Sequence, residues 1–178
     1  MIDKVFNNFL ETQLCEALGL AENSDILRFL PAPGALPQQF LAEFHCKGII
    51  QNRDGEIAEG NLFVVGIFLP NDYLRRAAIP EVLTWLGPAN VLHPNILGPA
   101  GAICIGHLEP GMGLVDILYQ LYEIIVYRKF NPQENNSLNK AACAWARNNL
   151  SRFPTDHRPL KRPAQPAQAR GGPAARAT

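Results

Sequence analysis

The residues best suited to chemistry in this sequence are a cysteine and an asparagine nine positions before it. Cys104 ends a short apolar segment, and His93-Pro94-Asn95 precedes it across a glycine-containing turn. A thiolate is a strong nucleophile, and an amide side chain can donate a hydrogen bond to the oxyanion formed when a carbonyl is attacked. The pattern predicts acyl transfer at Cys104, with Asn95 as oxyanion donor and with His93 and Pro94 shaping the turn that aims it. The alternative is that Asn95 only fixes the local backbone.

Two other kinds of site would include the same cysteine. A cysteine hydrolase would pair Cys104 with His107 or His93 as a base, although no clear third group is available to orient either histidine. Cys104 and His107 also have the spacing of half a zinc site, which takes four nitrogen or sulfur ligands. The remaining candidates, His45 and Cys46, are adjacent on a predicted strand and therefore point to opposite faces. We expect no metal and no bound cofactor.

Hydrophobic periodicity predicts the helices that would position these residues. Apolar residues recur at helical spacing over residues 7–20 and again over residues 114–125. A last helix is predicted over residues 137–149, with Asn136 or Ser137 as its N-cap. Helices therefore flank the central part of the chain on both sides.

Three strands are predicted between these helices, over residues 39–50, 61–69 and 81–86. Asp54-Gly55 supplies the chemistry of a tight turn after the first strand. Prolines interrupt any element over residues 31–37, and residues 102–105 are too short for a full strand. Because short turns join the strands, they are expected to pair antiparallel in an α+β fold.

Composition bounds the class of protein. The chain has 178 residues, of which 47% are hydrophobic, and this is enough for one domain with a buried core. No apolar run is long enough to span a bilayer, and the N-terminus lacks the pattern of an export signal. We therefore expect a soluble, cytoplasmic protein whose four cysteines are reduced, with no membrane partner.

The net charge of zero hides an asymmetry along the chain. Residues 151–178 hold six basic residues and one acid, which leaves residues 1–150 with a net charge of −5. The basic segment is also rich in proline, alanine and glycine, a composition that buries too little apolar surface to fold. We predict a catalytic domain over residues 1–150 and a disordered tail over residues 151–178. A weak role of this tail on nucleic acid or an acidic partner is the alternative.

Several short motifs occur together in a distinctive order. They are Phe68-Leu69-Pro70-Asn71-Asp72-Tyr73, Ile79-Pro80-Glu81-Val82, His93-Pro94-Asn95-Ile96, Gly101-Ala102-Ile103-Cys104-Ile105, Phe130-Asn131-Pro132 and Ala144-Trp145. In this order they resemble the ubiquitin-conjugating enzyme family over roughly residues 5–149, with residues 68–104 carrying the specificity.

The resemblance implies a UBC-like fold, in which an N-terminal helix and C-terminal helices flank a four-stranded antiparallel meander. It also implies that Cys104 accepts a ubiquitin-like protein as a thioester from an activating enzyme, and that a lysine of a target protein then attacks it. The helix over residues 7–20 is where the family contacts the activating enzyme. Variants of the fold that only bind a ubiquitin-like protein lack the cysteine, so the retained Cys104 and Asn95 argue against that alternative.

Some segments depart from the family pattern. Residues 74–78 and 109–114 differ from the loops through which members meet RING-type ligases, which makes such a ligase doubtful as a partner. Glu134 is the carboxylate available where the family places the acid that gates the incoming lysine. These departures fit a divergent, bacterial member of the family, for which a role in defence would be expected.

Overall fold

The computed structural model describes residues 3–34, 36–130 and 133–164, apart from the side chain of Glu134. The fold is α+β, with an N-terminal helix and an antiparallel sheet of four strands. Helix α1 (Lys4–Glu22) begins at Asp3, whose carboxylate accepts the N–H of Val5 at 3.1 Å. The helix predicted over residues 7–20 is thus confirmed and extends slightly further at both ends.

Eight strands form three antiparallel sheets in the described part of the chain. In chain order they are β1 (Leu27–Pro31), β2 (Gln39–Phe44), β3 (Gly48–Gln51), β4 (Ile57–Gly60), β5 (Phe63–Phe68), β6 (Leu83–Gly87), β7 (Ile96–Leu97) and β8 (Ala102–Ile103). The main sheet has the order β1-β2-β5-β6, while β3 pairs with β4 and β7 pairs with β8. The chain therefore makes a meander with one hairpin inserted between β2 and β5.

The strand predicted over residues 39–50 divides into β2 and β3. Between them the N–H of Lys47 donates to the carboxylate of Asp156 at 3.0 Å instead of to a neighbouring strand. Burial still alternates across the break, because Phe44 and Cys46 are both buried. Buried side chains continue to alternate every two residues although the chain passes from the main sheet to another sheet. This alternation therefore does not show where β2 ends.

Strand β1 ends where the predicted interruption over residues 31–37 begins. It is an edge strand of the main sheet, and Pro31 is its last residue, paired with Phe40 of β2. Proline is tolerated at an edge because its missing N–H breaks no ladder hydrogen bond on the open side. The predicted interruption is therefore confirmed, and β1 itself was not predicted.

Within the described residues, three α-helices follow β5: the first is not predicted, the second has its predicted bounds, and the last is shorter than predicted. They are α2 (Ile79–Val82), α3 (Leu114–Ile125) and α4 (Lys140–Arg147). The one-turn α2 holds Pro80 in its first turn, so the strand predicted over residues 81–86 starts only at Leu83. Helix α4 is capped by Asn139, which accepts the N–H of Ala142 at 3.0 Å, rather than by Asn136 or Ser137.

Helices α1 and α3 pack on the main sheet around one core. The buried residues of α1 include Phe6 and Leu10, and those of α3 include Leu118 and Leu121. These side chains join inward-facing residues of the sheet in a single cluster. Among the helices of the described residues, none has the length and apolar character needed to cross a membrane.

The C-terminal segment departs from the prediction, because residues 151–164 are packed against the domain. The N–H of Thr155 donates to the carbonyl of Val126 at 2.9 Å, and the N–H of Arg162 donates to that of Asn23 at 2.7 Å. Leu160 is buried in the main core. The predicted boundary at residue 150 is therefore too early, while residues 165–178 lie outside the described residues. Hydrogen bonds to backbone groups, which composition does not reveal, hold this segment.

Asp156 is the centre of this packing and is itself 5% exposed. Its carboxylate accepts the backbone N–H of Lys47 at 3.0 Å and the guanidinium of Arg158 at 2.7 Å. Burial alone would raise the pKa of Asp156, but the hydrogen bonds from Arg158 and Lys47 outweigh burial and lower the pKa to about 2. The carboxylate is therefore charged at neutral pH and ties residues 151–164 to the β2–β3 corner.

We expect Asp156→Ala to lower the free energy of unfolding by about 2–3 kcal/mol, because it leaves the Lys47 N–H and the Arg158 guanidinium without their acceptor. Urea denaturation at pH 7 measures the change. Asp25→Ala is the matched control, since Asp25 forms an exposed ion pair at 3.6 Å with Arg162 of the same segment. The control should change stability by less than about 1 kcal/mol. Equally small effects of both substitutions would show that the segment does not stabilise the domain.

Candidate functional site

The structure brings Cys104 and Asn95 together through two reciprocal hydrogen bonds. The N–H of Cys104 donates to the carbonyl of Asn95 at 2.8 Å, and Nδ2 of Asn95 donates to the carbonyl of Cys104 at 2.9 Å. The pairing follows from the register of β7 and β8, in which Ile96 faces Ile103. Antiparallel pairing places the next residues outward, Asn95 and Cys104, opposite each other. The predicted pair is therefore a product of this short hairpin.

The turn between β7 and β8 requires glycine at two positions. Gly101 has φ +64°, in the left-handed region that favours glycine. A Cβ at Gly98 would overlap the carbonyl of Ala89. The carbonyl of Gly101 also accepts the N–H of Trp85 at 2.8 Å, which attaches the turn to β6 of the main sheet. The segment that carries Cys104 is thereby held in a fixed position relative to the main sheet.

Asn95 fixes the backbone around the cysteine. The residue is 8% exposed, and its side chain bonds the main chain of Cys104 directly. This is the local backbone role that was the alternative to oxyanion donation. The structure establishes the positioning role, and the oxyanion role stays a prediction.

His93 and Pro94 support Asn95 from the buried side. Nδ1 of His93 accepts the N–H of Asn95 at 3.0 Å, and the carbonyl of Pro94 accepts the N–H groups of Leu138 and Asn139 at 2.9 and 3.2 Å. The turn is thus tied to the start of α4. Both residues therefore hold the backbone of this turn in place.

The imidazole of His93 is neutral in the folded protein. It is 1% exposed, and Nε2 makes no hydrogen bond of normal geometry with any described residue. Burial lowers the pKa of His93 to about 3, although the backbone carbonyl of Ile124 opposes part of this effect. With Nδ1 accepting from Asn95, the proton of the neutral ring resides on Nε2. His93 therefore has no nitrogen available to activate a thiol.

An aromatic cluster that the sequence did not reveal lies beneath His93. Tyr127 stacks on Phe153 with ring centroids 4.1 Å apart, and its ring lies 4.2 Å from that of His93. The Tyr127 hydroxyl donates to the carbonyl of Leu92, immediately before the turn. Tyr127 also has φ +61°, which is uncommon for a residue with a bulky side chain. The only signal in the sequence is a tyrosine just after an amphipathic helix, and it does not predict a left-handed residue.

The thiol of Cys104 is half-buried, whereas Cys46 and Cys143 are buried and Cys15 is exposed. Within the described part of the chain, Sγ of Cys104 forms no hydrogen bond, so no base is engaged with it. The side chain of His107 is 79% exposed, and its Nε2 lies 3.4 Å from the carboxylate of Glu109. The two histidines considered for a hydrolase are thus occupied elsewhere.

Lys129 lies against the residues that follow Cys104. Its Nζ donates to the carbonyl of Ile105 at 2.9 Å and to Oε1 of Gln120 at 3.3 Å. A Cβ at Gly106 would lie 3.7 Å from the same nitrogen. Periodicity and spacing gave no reason to single out this lysine, because the contact depends on how the chain turns after α3.

The remaining candidates are Glu134 and the zinc site that was weighed as an alternative. The side chain of Glu134, the predicted gate, lies outside the described residues, as do Asn131 and Pro132. No cluster of three or more metal-binding side chains occurs within residues 3–34, 36–130 and 133–164. His45 lies 3.5 Å from Glu43, whereas burial raises the pKa of the Cys46 thiol to about 12, with Asp156 adding to the effect.

Comparison with known proteins gives this chain no family. No family model matches it, and no curated protein matches it. The indications of function are therefore the residues and their geometry, together with the resemblance of the motifs to the ubiquitin-conjugating enzyme family.

The buried neutral His93 predicts a specific dependence of stability on pH. The unfolded chain binds a proton at His93 below its ordinary pKa of 6.5, whereas the folded protein does not until about pH 3. This contribution to stability therefore falls by about 1.4 kcal/mol per pH unit as the pH drops below 6.5. Urea denaturation between about pH 7 and about pH 4.5, which covers the upper part of the window from pH 6.5 to about 3, should give a shallower dependence for His93→Gln than for wild type.

His157→Gln is the matched control for this comparison, because His157 is exposed. It should keep the pH dependence of the wild-type protein. If His93→Gln and wild type lose stability in parallel on acidification, then His93 is not held neutral by burial.

Proposed function

We propose that the protein is a ubiquitin-conjugating-like thioester transferase with a UBC-like fold. The observation that carries the proposal is the reciprocal bonding of Asn95 with a half-buried Cys104, on a hairpin attached to the main sheet. This arrangement suits a nucleophile that must meet a large acyl donor, since the thiol is reachable while its backbone is fixed on both sides. Together with the order of the motifs, it favours acyl transfer over a structural role for the cysteine.

The proposed reaction has two acyl transfers. The Cys104 thiolate attacks the thioester on an activating enzyme, and that enzyme's thiolate leaves, so the ubiquitin-like protein becomes bonded to Sγ. A lysine amine of the target then attacks the same carbonyl, the C–S bond breaks, and the amine loses its proton as the isopeptide forms. Sulfur serves as both nucleophile and leaving group, so the protein needs no bound cofactor.

The surroundings of Cys104 favour transfer to an amine over hydrolysis. A hydrolase needs a base that removes a proton from the thiol or from water. His93 is buried with Nδ1 engaged by Asn95, and His107 is exposed beside Glu109. An incoming amine is itself a good nucleophile, so the second step depends mainly on position and on stabilisation of the oxyanion. Asn95 is the donor that we assign to this second role.

The arrangement of elements supports the same proposal. An N-terminal helix, a four-stranded antiparallel sheet and later helices occur in the order that the resemblance implies. We assign contact with the activating enzyme to α1. The two segments assigned to ligases in the family begin close together here, because the hydroxyl of Tyr73, just before residues 74–78, donates to the carbonyl of Met112 at 2.8 Å. Their sequences still depart from the family, so the proposal includes no RING-type ligase.

The proposal predicts a covalent adduct on Cys104 that depends on ATP. The intact mass of the protein is measured after incubation with ATP and an extract of its own source, with and without a reducing thiol. We expect a gain of several kilodaltons that thiol removes. Cys104→Ser should give the same gain in a thiol-resistant form, since an ester replaces the thioester, and Cys104→Ala should give none. No adduct in an extract that contains an active activating enzyme would contradict the proposal.

The oxyanion role of Asn95 predicts a slower second step. With the purified thioester of each variant, reaction with free lysine should be about 10²–10³-fold slower in Asn95→Ala, because the oxyanion loses a donor. Asn90→Ala is the matched control, since Asn90 lies on the preceding loop and bonds the carbonyl of Gln51. If Asn95→Ala reacts at the wild-type rate, Asn95 only fixes the backbone and does not stabilise the oxyanion.

A further inference from the structure

We propose that the C-terminal part of the domain binds single-stranded nucleic acid. The observation behind the proposal is that exposed arginines lie among partly exposed aromatic rings, in a basic part of the chain. The inference goes beyond the proposed function and does not depend on it, because none of these residues is assigned a role in acyl transfer. The surface, which we call the basic–aromatic face, is formed by Arg128, Phe130, Trp145, Arg152, Phe153 and His157.

Charge is divided unequally between two parts of the chain. Residues 128–164 hold eight basic and two acidic residues, a net charge of +6, whereas residues 1–127 hold six basic and 14 acidic residues, a net charge of −8. One of the two acids in the basic part, Asp156, is buried and paired with Arg158 at 2.7 Å. A polyanion is therefore attracted to the C-terminal part of the domain and repelled by the rest.

The two arginines of the basic–aromatic face come from chain segments that pack against each other. Arg128 follows Tyr127, and Arg152 precedes Phe153. The rings of Tyr127 and Phe153 stack with centroids 4.1 Å apart and with planes inclined by 8°. Nη2 of Arg128 also donates to the carbonyl of His157 at 3.4 Å. The end of α3 and the segment after α4 therefore contribute their cations to one surface.

Both guanidinium groups can still bond an anion. Arg128 and Arg152 are exposed, and neither forms an ion pair with another described residue. Each lies over an aromatic ring instead, Arg128 at 5.6 Å from the centroid of Tyr122 and Arg152 at 5.4 Å from that of Trp145. A guanidinium has five N–H donors and bonds phosphate oxygens well. We therefore assign the phosphates of the ligand to these two arginines.

The aromatic rings of the face give the bases a surface to stack on. Phe130, Trp145 and Phe153 are partly exposed and surround the buried Tyr127, with ring centroids 5.6, 6.3 and 4.1 Å from that of the tyrosine. Bases stack on aromatic side chains whatever their sequence, because every base has a flat face. The three partly exposed rings are therefore assigned to the bases of the ligand.

Rings and arginines together favour a single strand over other polyanions. A duplex keeps its bases stacked and paired, so their flat faces cannot reach a protein ring, whereas a single strand presents bases and phosphates at once. An acidic protein segment would complement the charge of the arginines, but its carboxylates would leave the rings with no flat group to stack on. Single-stranded nucleic acid matches both kinds of group.

Fluorescence anisotropy tests the proposal with the wild-type chain alone. The full chain is titrated into a fluorescein-labelled oligothymidylate of about 20 nucleotides, which is longer than a typical binding site. We expect saturable binding that weakens as salt is added, because binding releases counterions from the phosphates. An oligomer of the same length and charge that lacks the bases should bind at least about fivefold more weakly, because it cannot stack. Equal affinity for the two oligomers would show a surface for any polyanion, an acidic protein included, and would overturn the proposal.

Paired substitutions test which arginines bind the strand. Arg128→Gln with Arg152→Gln should weaken binding at least about tenfold at about 50 mM salt, and should reduce the slope of log affinity against log salt concentration by about 1.4, because two phosphate contacts are lost. Arg75→Gln with Arg76→Gln is the matched control. It removes the same charge beside the start of α3, about 18 Å along that helix from Arg128. The control should bind within about twofold of wild type, because it removes no phosphate contact.

A third pair, Arg170→Gln with Arg176→Gln, separates the face from the basic residues at 165–178. If this pair abolishes binding while Arg128→Gln with Arg152→Gln leaves it unchanged, the face is not the site and the proposal is overturned. Equal losses in the face pair and the control pair would overturn it as well, since only net charge would then matter. Absence of binding by the wild-type chain at low salt would have the same meaning. Urea denaturation verifies that each variant is folded.

Discussion

The exchange of two hydrogen bonds between Asn95 and Cys104 determines where the thiol lies, and much of the surrounding structure holds one partner or the other. The register of β7 and β8 sets the two residues opposite each other, and the turn at Gly101 is bonded to β6. Because the pair closes the open end of a two-residue ladder, it would have little stability alone. Its position depends on the main sheet to which the hairpin is attached.

The second support of the site is buried and apolar. His93 accepts from the backbone of Asn95 while packing against Tyr127, which in turn bonds the carbonyl of Leu92. Burial of the His93 ring lowers the free energy of unfolding in acid, because the unfolded chain binds a proton at this residue and the folded protein does not. In return the turn has a support that does not change charge near neutral pH. A charged imidazole at this position would perturb both Asn95 and the electrostatics around Cys104.

Hydrophobic periodicity predicted the long amphipathic elements, such as α1 and α3. The order of the motifs predicted that Asn95 lies beside Cys104. What neither could predict depends on contacts between residues distant in the chain. Residues 151–164 were expected to be disordered because their composition is poor in apolar residues, yet Asp156 anchors them to Lys47. The contact of Lys129 with Ile105 likewise arises only when the chain turns back after α3. Such hydrogen bonds leave no repeating pattern in the sequence.

In the working protein, we propose, Cys104 carries an acyl group. The most direct measurement is the intact mass of the protein isolated from its own source cells, after quenching in acid without added thiol. We expect a fraction of molecules that are several kilodaltons heavier, with the extra mass bonded to Cys104 and released by thiol. If every molecule has the unmodified mass while the same preparation preserves an added thioester standard, the account is contradicted.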